Sequence, residues 1–165
     1  MAKQNALVKI SGSLLKNAKA IDRIKRISKK YFTVILIGGG EQINKAFRKK
    51  GWKVAFGPLG RVTKTFREKQ LARDVLEENQ ELVQDMLDGK GISAKVIIPV
   101  DDIATVLCHV NGDVKVLSAY NGFDRIFIFT FKDIVEKKRL WLKRLADCFK
   151  HIGDGGIDKI EVVGF

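Results

Sequence analysis

The chain has 165 residues and a formal net charge of +12, and 45% of its residues are apolar. This length matches one ordinary domain, and the composition excludes a disordered chain. The charge favours anionic partners: nucleotides, phosphates, nucleic acids or acidic membrane surfaces. The longest apolar run, residues 34–37, is far too short to span a membrane, and the first residues lack a signal core. We therefore expect a cytoplasmic protein without a membrane partner.

Residues that ligate metals are scattered along the chain. Cys108 and Cys148 lie 40 residues apart, and neither has a histidine at a metal-binding spacing. His109 and His151 are equally isolated. The sequence therefore predicts reduced, mostly structural cysteines and no metal site built from these side chains.

The first hundred residues alternate between strand and helix patterns. Residues 6–10 predict a strand, and the continuous aliphatic run 32–37 is typical of a strand buried on both faces of a parallel sheet. Apolar residues spaced by three and four predict helices over 14–30, 41–50 and 65–87.

Shorter patterns fill the gaps and continue the alternation. Residues 52–56 predict a short strand or an ordered loop, and 57–60 predict a turn. Asn111-Gly112 predicts a hairpin turn within residues 110–114. Repeated strand–helix units predict an α/β fold, a three-layer αβα sandwich with a mostly parallel central sheet, in one domain. Further strands are expected at 95–100, 104–107, 125–130 and 159–165, and a last helix at 132–150.

Two glycine turns stand at the ends of the first two buried strands. Ser11-Gly12-Ser13 follows the first strand, and Gly38-Gly39-Gly40 follows the second. In open α/β sheets the carboxyl edge binds ligands, and glycines with free helix-start amides favour phosphate. Lys9 adds a positive charge beside the first turn. Neither turn is a dinucleotide or Walker motif.

Together the two turns resemble those of the amino acid kinase family, which includes acetylglutamate, carbamate, aspartate and uridylate kinases. The family carries Lys-x-Gly-Gly-Ser after its first strand and a triple glycine after its second. Here Lys9, Gly12 and Ser13 match the first motif, and Ser11 stands at its first glycine. Gly60-Arg61-Val62-Thr63 resembles a further segment of acetylglutamate and carbamate kinases. The resemblance covers residues 6 to about 100.

The resemblance implies an ATP-dependent phosphotransferase acting on a carboxyl group, with ATP and Mg²⁺ as cofactors. It implies that Lys9 contacts the transferring phosphoryl group and that Arg61 holds the acceptor acid. Residues 1–100 would form the acceptor and phosphate half, and 101–165 a shortened nucleotide half. The phosphate-binding residues it implies are Gly12, Ser13, Gly38, Gly39 and Gly40.

The nucleotide half departs further from the family pattern. Asn111-Gly112-Asp113 is nearest to the family's Asn-x-Asp motif, but about 11 residues separate it from the next strand. We expect this spacing to be too short for the family's helix. Thr130 matches the end of the family's next strand, which gives a weak nucleotide-binding assignment to Thr130 and Lys132. The family's second lysine has no clear counterpart, and its candidates are Lys132, Lys137 and Lys138.

Three functions remain open on the sequence alone. The first is a kinase for a small anionic metabolite, resembling acetylglutamate kinase. The second is a non-catalytic relative that binds a nucleotide, phosphate or acidic metabolite. The third is a basic nucleic-acid-binding protein, supported by the charge and by the basic stretches 45–50 and 136–144. A homodimer through the helix at 65–87 also remains open.

Overall fold

The computed structural model describes residues 3–57, 60–103, 106–149, 152 and 157–165. In chain order the strands are β1 (Asn5–Ser11), β2 (Phe32–Gly38), β3 (Ala55–Gly57), β4 (Gly60–Val62), β5 (Lys95–Ile97), β6 (Val100–Ile103), β7 (Val106–His109), β8 (Arg125–Thr130) and β9 (Ile160–Gly164). The helices are α1 (Ala18–Lys30), α2 (Gly40–Lys49), α3 (Phe66–Gly89), α4 (Gly112–Ser118) and α5 (Val135–Ala146).

Five of the described strands form one parallel sheet, in the order β5-β2-β1-β8-β9. After β1, strands β2 and β5 extend the sheet on one side of β1. Strands β8 and β9 come later in the chain and extend the sheet on its other side. The loops after β1 and β8 therefore diverge, which opens a crevice at the carboxyl ends of the strands. The pairs β3–β4 and β6–β7 are antiparallel hairpins outside this sheet.

The sheet is covered by helices on both faces. Alternate residues of β1 point to opposite sides, so Ala6, Val8 and Ile10 pack with α1 and α3. Leu7 packs on the other side with Val116 of α4 and Leu142 of α5. Helix α2 packs against α3 through Phe47 and Leu76. This confirms the αβα sandwich with a mostly parallel sheet.

The predicted strands at 6–10, 32–37 and 125–130 are confirmed within a residue or two of each end. The helix expected over 14–30 is instead a 3-10 turn, Gly12–Lys16, followed by α1. Asn17 separates them because its Oδ1 accepts hydrogen bonds from the backbone N–H groups of Lys19 and Ala20, at 3.0 and 3.3 Å. An asparagine that caps a helix in this way starts it at the next residue.

The region after β5 differs most from the sequence prediction. The strand expected at 95–100 ends at Ile97, and Val100 opens β6, which pairs with β7. In the turn expected at 57–60, Pro58 and Leu59 lie outside the described residues, as do Ala104 and Thr105 of the strand expected at 104–107.

The hairpin predicted at Asn111-Gly112 is wrong. Asn111 Oδ1 accepts hydrogen bonds from the backbone N–H groups of Asp113 and Val114, at 2.8 and 3.4 Å, and so caps α4. The expectation that no helix fits before β8 is therefore also wrong, because α4 needs only seven residues. Asparagine favours both turns and helix caps, because its short side chain carries a hydrogen-bond acceptor. Here the helix forms because Val116 and Leu117, which follow the asparagine, pack in the core.

The last predicted helix is shorter than expected. The chain makes a 3-10 turn at Lys132–Ile134 before α5 begins, and α5 ends at Ala146 rather than at residue 150. Across the described part of the chain, no helix is both long and apolar enough to span a membrane.

Two leucines of α3 allow a matched test of the packing. Leu87 is fully buried between α3 and the sheet, whereas Leu82 is 63% exposed on the same helix. We expect Leu87→Ala to lower the free energy of unfolding by about 2–5 kcal/mol, because it removes buried methyl groups and leaves a cavity. Leu82→Ala should change it by less than about 0.5 kcal/mol. Urea unfolding of both variants measures the difference, and equal effects would contradict this packing.

Candidate functional site

The two glycine turns meet at the carboxyl edge of the sheet. Ser11 at the end of β1 pairs in register with Gly38 at the end of β2, so the turns that follow are neighbours. Beside them lies a cavity of about 310 Å³, close to the lower end of the range for small-molecule sites. Its described lining includes Lys9, Ser11, Gly12, Ser13, Gly38, Gly39, Gly40, Glu41, Gln42, Phe56, Arg61, Pro99, His109, Asn111, Gly112, Asp113 and Lys138.

A buried carboxylate joins two lysines in this cavity. Asp113 Oδ1 lies 3.3 Å from Lys9 Nζ, and Asp113 Oδ2 lies 2.8 Å from Lys138 Nζ. The indole Nε1–H of Trp141 also donates to Oδ2, at 3.2 Å. We call Lys9, Asp113 and Lys138 the lysine–aspartate triad.

The fold explains why these side chains meet. Lys9 follows Leu7 on the face of β1 that points toward α4 and α5, and it lies near the carboxyl end of the strand. Asp113 lies in the first turn of α4. Lys138 and Trp141 are three residues apart on α5 and therefore share one face of that helix.

Burial and charge together set the ionisation of the triad. Burial lowers the pKa of Lys9, Asp113 opposes that shift, and the nearby Lys138 adds to it. Burial alone would raise the pKa of Asp113, but Lys9 and Lys138 outweigh it and hold that pKa below its usual value. The Asp113 carboxylate is therefore held as an anion between the two lysine side chains.

The triple glycine positions the start of α2 at the cavity. Gly38 ends β2, Gly39 is the N-cap, and α2 begins at Gly40. A Cβ on Gly39 would lie only 2.8 Å from Leu76 Cδ2, so a larger residue would push α2 away from α3. Among the described residues, no side chain caps this helix start, so its first backbone amides are available to an anion.

The Ser11 backbone is extended, with φ −76° and ψ 146°, which any residue adopts. The serine that replaces the family's glycine is therefore accommodated without backbone strain. Its hydroxyl lies 3.1 Å from that of Ser13, so both hydroxyl groups stand at the first turn.

Arg61 connects the β3–β4 hairpin to the start of α2. Its Nη1 donates to Asn44 Oδ1 at 2.6 Å, and its Nη2 donates to the Gly40 carbonyl at 2.8 Å. The guanidinium also lies 5.0 Å from the centre of the Phe56 ring, within cation–π range. Arg61 is therefore held in place at the cavity wall.

Gly60 sets the approach of this hairpin to α4. Its φ of +105° lies in a region that residues with a side chain rarely adopt. A Cβ there would also lie 2.5 Å from Asn111 Nδ2. The hairpin and the cap of α4 are therefore packed directly against each other.

His109 closes one side of the cavity, at the end of β7. Burial, together with the positive charge of Arg61, lowers its pKa to about 4. At neutral pH the imidazole is therefore uncharged, and the positive charge of the cavity comes from lysine and arginine.

The structure gathers most of the site residues named from the sequence. Lys9, both glycine turns, Ser13 and Arg61 line one cavity. Thr130 lies buried at the end of β8, Lys132 is exposed, and neither is among the lining residues. Of the three lysines considered for a second cation, only Lys138 reaches the cavity.

Sequence reasoning did not assign a site role to Asp113, Trp141 or His109. The Asn111-Gly112-Asp113 pattern was the available signal for Asp113, but its interpretation as a hairpin hid the helix that positions the carboxylate. Trp141 and His109 come from elements whose relation to the cavity only the tertiary structure shows.

The lowered pKa of His109 predicts that the free energy of unfolding depends on pH. Between about pH 6.5 and pH 4 the unfolded chain binds a proton at His109 that the folded chain does not. The contribution of this group to stability is therefore present above pH 6.5 and falls as the pH drops to 4. We expect the free energy of unfolding to fall more steeply over this range in the wild type than in His109→Gln.

Denaturant unfolding at several pH values measures that difference. An NMR titration of the imidazole, assigned with the same variant, should give a midpoint near pH 4. A midpoint near 6.5 would contradict the burial of His109 beside Arg61.

Known proteins share the fold of this chain. Among solved structures, the smu.665 protein of Streptococcus mutans superposes with a TM-score of 0.61 at 15% identity, covering 78% of this chain and 73% of that one. N-acetylglutamate synthase from Neisseria gonorrhoeae, complexed with coenzyme A and N-acetyl-glutamate, gives 0.61 at 11% identity. The same synthase complexed with coenzyme A and L-arginine gives 0.58 at 9% identity.

Both synthase matches cover 99% of this chain, which spans 55% and 57% of the synthase chains. At these identities the likeness shows a shared fold. A search of curated proteins finds no match. The sequence profile described as "Amino acid kinase family" matches residues 5–125, well over half of the chain. The protein therefore belongs to the amino acid kinase family.

Proposed function

We propose that this protein is a small-molecule kinase that transfers the terminal phosphoryl group of ATP to a carboxylate of an amino-acid-type acid. The observation that carries the proposal is the lysine–aspartate triad facing the two glycine turns. It combines two lysine side chains and a helix start in one cavity, and phosphoryl transfer uses groups of this kind. Family membership and the fold support the same class of chemistry.

The proposed reaction is a displacement at phosphorus. An oxygen of the acceptor carboxylate attacks the terminal phosphorus, the bond to the bridging oxygen breaks, and ADP leaves with that oxygen. The product is an acyl phosphate. A carboxylate attacks without first losing a proton, so the site needs cations and amide dipoles rather than a general base.

The triad residues divide this work. Lys9 and Lys138 stabilise the charge that develops on the phosphoryl oxygens, and the first amides of α2 contribute dipoles. Asp113 is a positioning residue, because it holds both ammonium groups near the cavity while its own two oxygens are engaged. This arrangement supplies the second cation that the resemblance requires.

Arg61 is the proposed binding group for the acceptor acid. A guanidinium has five N–H donors, and the described contacts of Arg61 use two of its nitrogens. Donors therefore remain for a carboxylate. The complexes of the synthase with N-acetyl-glutamate and L-arginine show that a protein of the same fold binds amino-acid-type ligands, which supports this acceptor class.

The cavity suits the phosphates of ATP better than a metal ion held by the protein. Its carboxylates are Glu41 and Asp113, and both oxygens of Asp113 already face lysines. In the described part of the chain, no group of three metal-binding side chains is close enough to hold an ion. When bound, Mg²⁺ would be carried on the phosphates, where it neutralises their charge.

Acyl phosphates react with hydroxylamine, so the activity can be measured directly. We expect the protein with Mg-ATP and a panel of acidic amino acids and their N-acyl derivatives to form ADP and a hydroxamate in equal amounts. Lys9→Ala should lower the rate by about 100-fold or more, because one cation at the transferring group is lost. Lys25→Ala, at an exposed lysine of α1 outside the cavity, is the matched control.

Calorimetric titration with ATP and a non-hydrolysable analogue separates the alternatives. Binding that strengthens with Mg²⁺ and weakens in Lys9→Ala, without hydroxamate, would favour the non-catalytic relative. Absence of binding at millimolar ATP would overturn the kinase proposal. Thermal unfolding of Lys9→Ala checks its fold, and we expect the fold to persist because Asp113 keeps its contact with Lys138.

A further inference from the structure

A second and larger cavity, of about 620 Å³, lies at the opposite edge of the sheet. Arg125 and Ile160, the first residues of β8 and β9, line it, as does Tyr31, which precedes β2. The candidate site lies at the other ends of these strands. Seven residues of β1 span about 20 Å, so the two cavities are separate. We call the second cavity the amino-edge groove.

The floor of the groove is apolar. Ile27 of α1 and Phe127 of β8 are almost fully buried there, and Ile160 lies beside them. The Tyr31 ring meets the Phe127 ring edge to face, with centroids 6.3 Å apart. An organic body could therefore lie against hydrocarbon in this groove.

The walls of the groove are strongly basic. Among the described residues they carry six cationic side chains and two acids, Asp158 and Glu161. Arg23 pairs with Glu161 at 3.3 Å. The other five have no carboxylate within ion-pair distance in the described part of the chain. They are Arg26, Lys29, Lys30, Arg125 and Lys159.

Helix electrostatics explain only part of this cluster. Lys29 and Lys30 lie in the last turn of α1, where cations are favourable. Arg125 comes from β8, and Lys159 comes from the turn before β9. Lys159 Nζ lies 5.0 Å from the centre of the Tyr120 ring, within cation–π range. Cations from three separate elements thus line one groove without a carboxylate partner, which costs mutual repulsion unless an anion is present.

We propose that the amino-edge groove binds a small organic anion with several phosphates, of the nucleoside polyphosphate class. The five unpaired cations would hold the phosphates, and the apolar floor would hold the organic part. This ligand would act at a site distinct from the one proposed for phosphoryl transfer, so the inference does not rest on that function.

The geometry favours a small ligand over a nucleic acid strand. The volume lies within the range of enclosed small-molecule sites. Sites for single strands display open aromatic rings on which successive bases stack. The described aromatic rings of the groove are those of Tyr31 and Phe127, which pack against each other edge to face, so they do not form a series of open rings for successive bases.

The test uses the full chain with Lys9→Ala, which weakens the first site. The probes are ATP without Mg²⁺ and inorganic tripolyphosphate, and NMR maps where each one binds. We expect saturable shifts of the backbone amides of Tyr31, Arg125 and Lys159, with little change at Gly38–Gly40. We also expect ATP to bind more tightly than tripolyphosphate, because only ATP has an organic part to cover the apolar floor.

Two double variants with equal charge loss separate a built site from diffuse attraction. Lys29→Gln/Arg125→Gln removes two groove cations and should weaken ATP binding by about tenfold or more. Lys25→Gln/Arg67→Gln removes one lysine and one arginine that are exposed and lie outside the groove. This control should change the affinity by less than about twofold.

Three results would overturn the proposal. Equal weakening in both double variants would mean that the total charge of the protein attracts the probe. Absence of saturable shifts at the groove amides would mean that the groove does not bind polyphosphates. Affinity for single-stranded oligonucleotides that rises with length and exceeds that for ATP would assign the surface to a nucleic acid.

Discussion

The pairing of one buried carboxylate with two lysines is the interaction on which the candidate site depends. Asp113 carries a charge in a place where an isolated carboxylate would be strongly unfavourable, and Lys9 and Lys138 make that charge tolerable. Asp113 in turn opposes the lowering of the Lys9 pKa that burial causes at this edge of the hydrophobic sheet. Strand β1 and helices α4 and α5 are thereby fixed to one another at the candidate cavity.

The parallel sheet explains why so few elements build this site. Every strand of the sheet points its carboxyl end to the same edge, so turns far apart in sequence become neighbours. Lys9 faces α4 and α5 because side chains alternate along β1 and Lys9 lies two residues after Leu7. The opposite edge gathers the strand starts, and there the same topology brings together the cations of the amino-edge groove.

The sequence allowed much of this to be predicted, because its signals are local. Continuous aliphatic runs indicated the buried strands, and the glycine turns indicated the edge of the sheet where the candidate cavity lies. The lysine of β1 was recognisable from its place beside the first turn. The role of Asp113 was not predictable in this way, because Asn111-Gly112 suits both a hairpin and a helix cap. Tertiary packing of Val116 and Leu117 decides between them. Lys132, Lys137 and Lys138 were equivalent candidates for the second cation on the sequence alone. In the structure, Lys138 is the one of these three that lines the cavity.

The contact between Gly60 and Asn111 restricts how this protein can change over evolutionary time. Asn111 leaves no room for a Cβ at residue 60, and the positive φ of Gly60 would strain a larger residue there even beside a smaller residue at 111. A smaller residue at 111, such as alanine, would remove the cap that starts α4 and holds Asp113 in its first turn. A single substitution at either position therefore weakens the packing between the β3–β4 hairpin and the start of α4. Both positions should therefore change little, although they are 51 residues apart in the sequence.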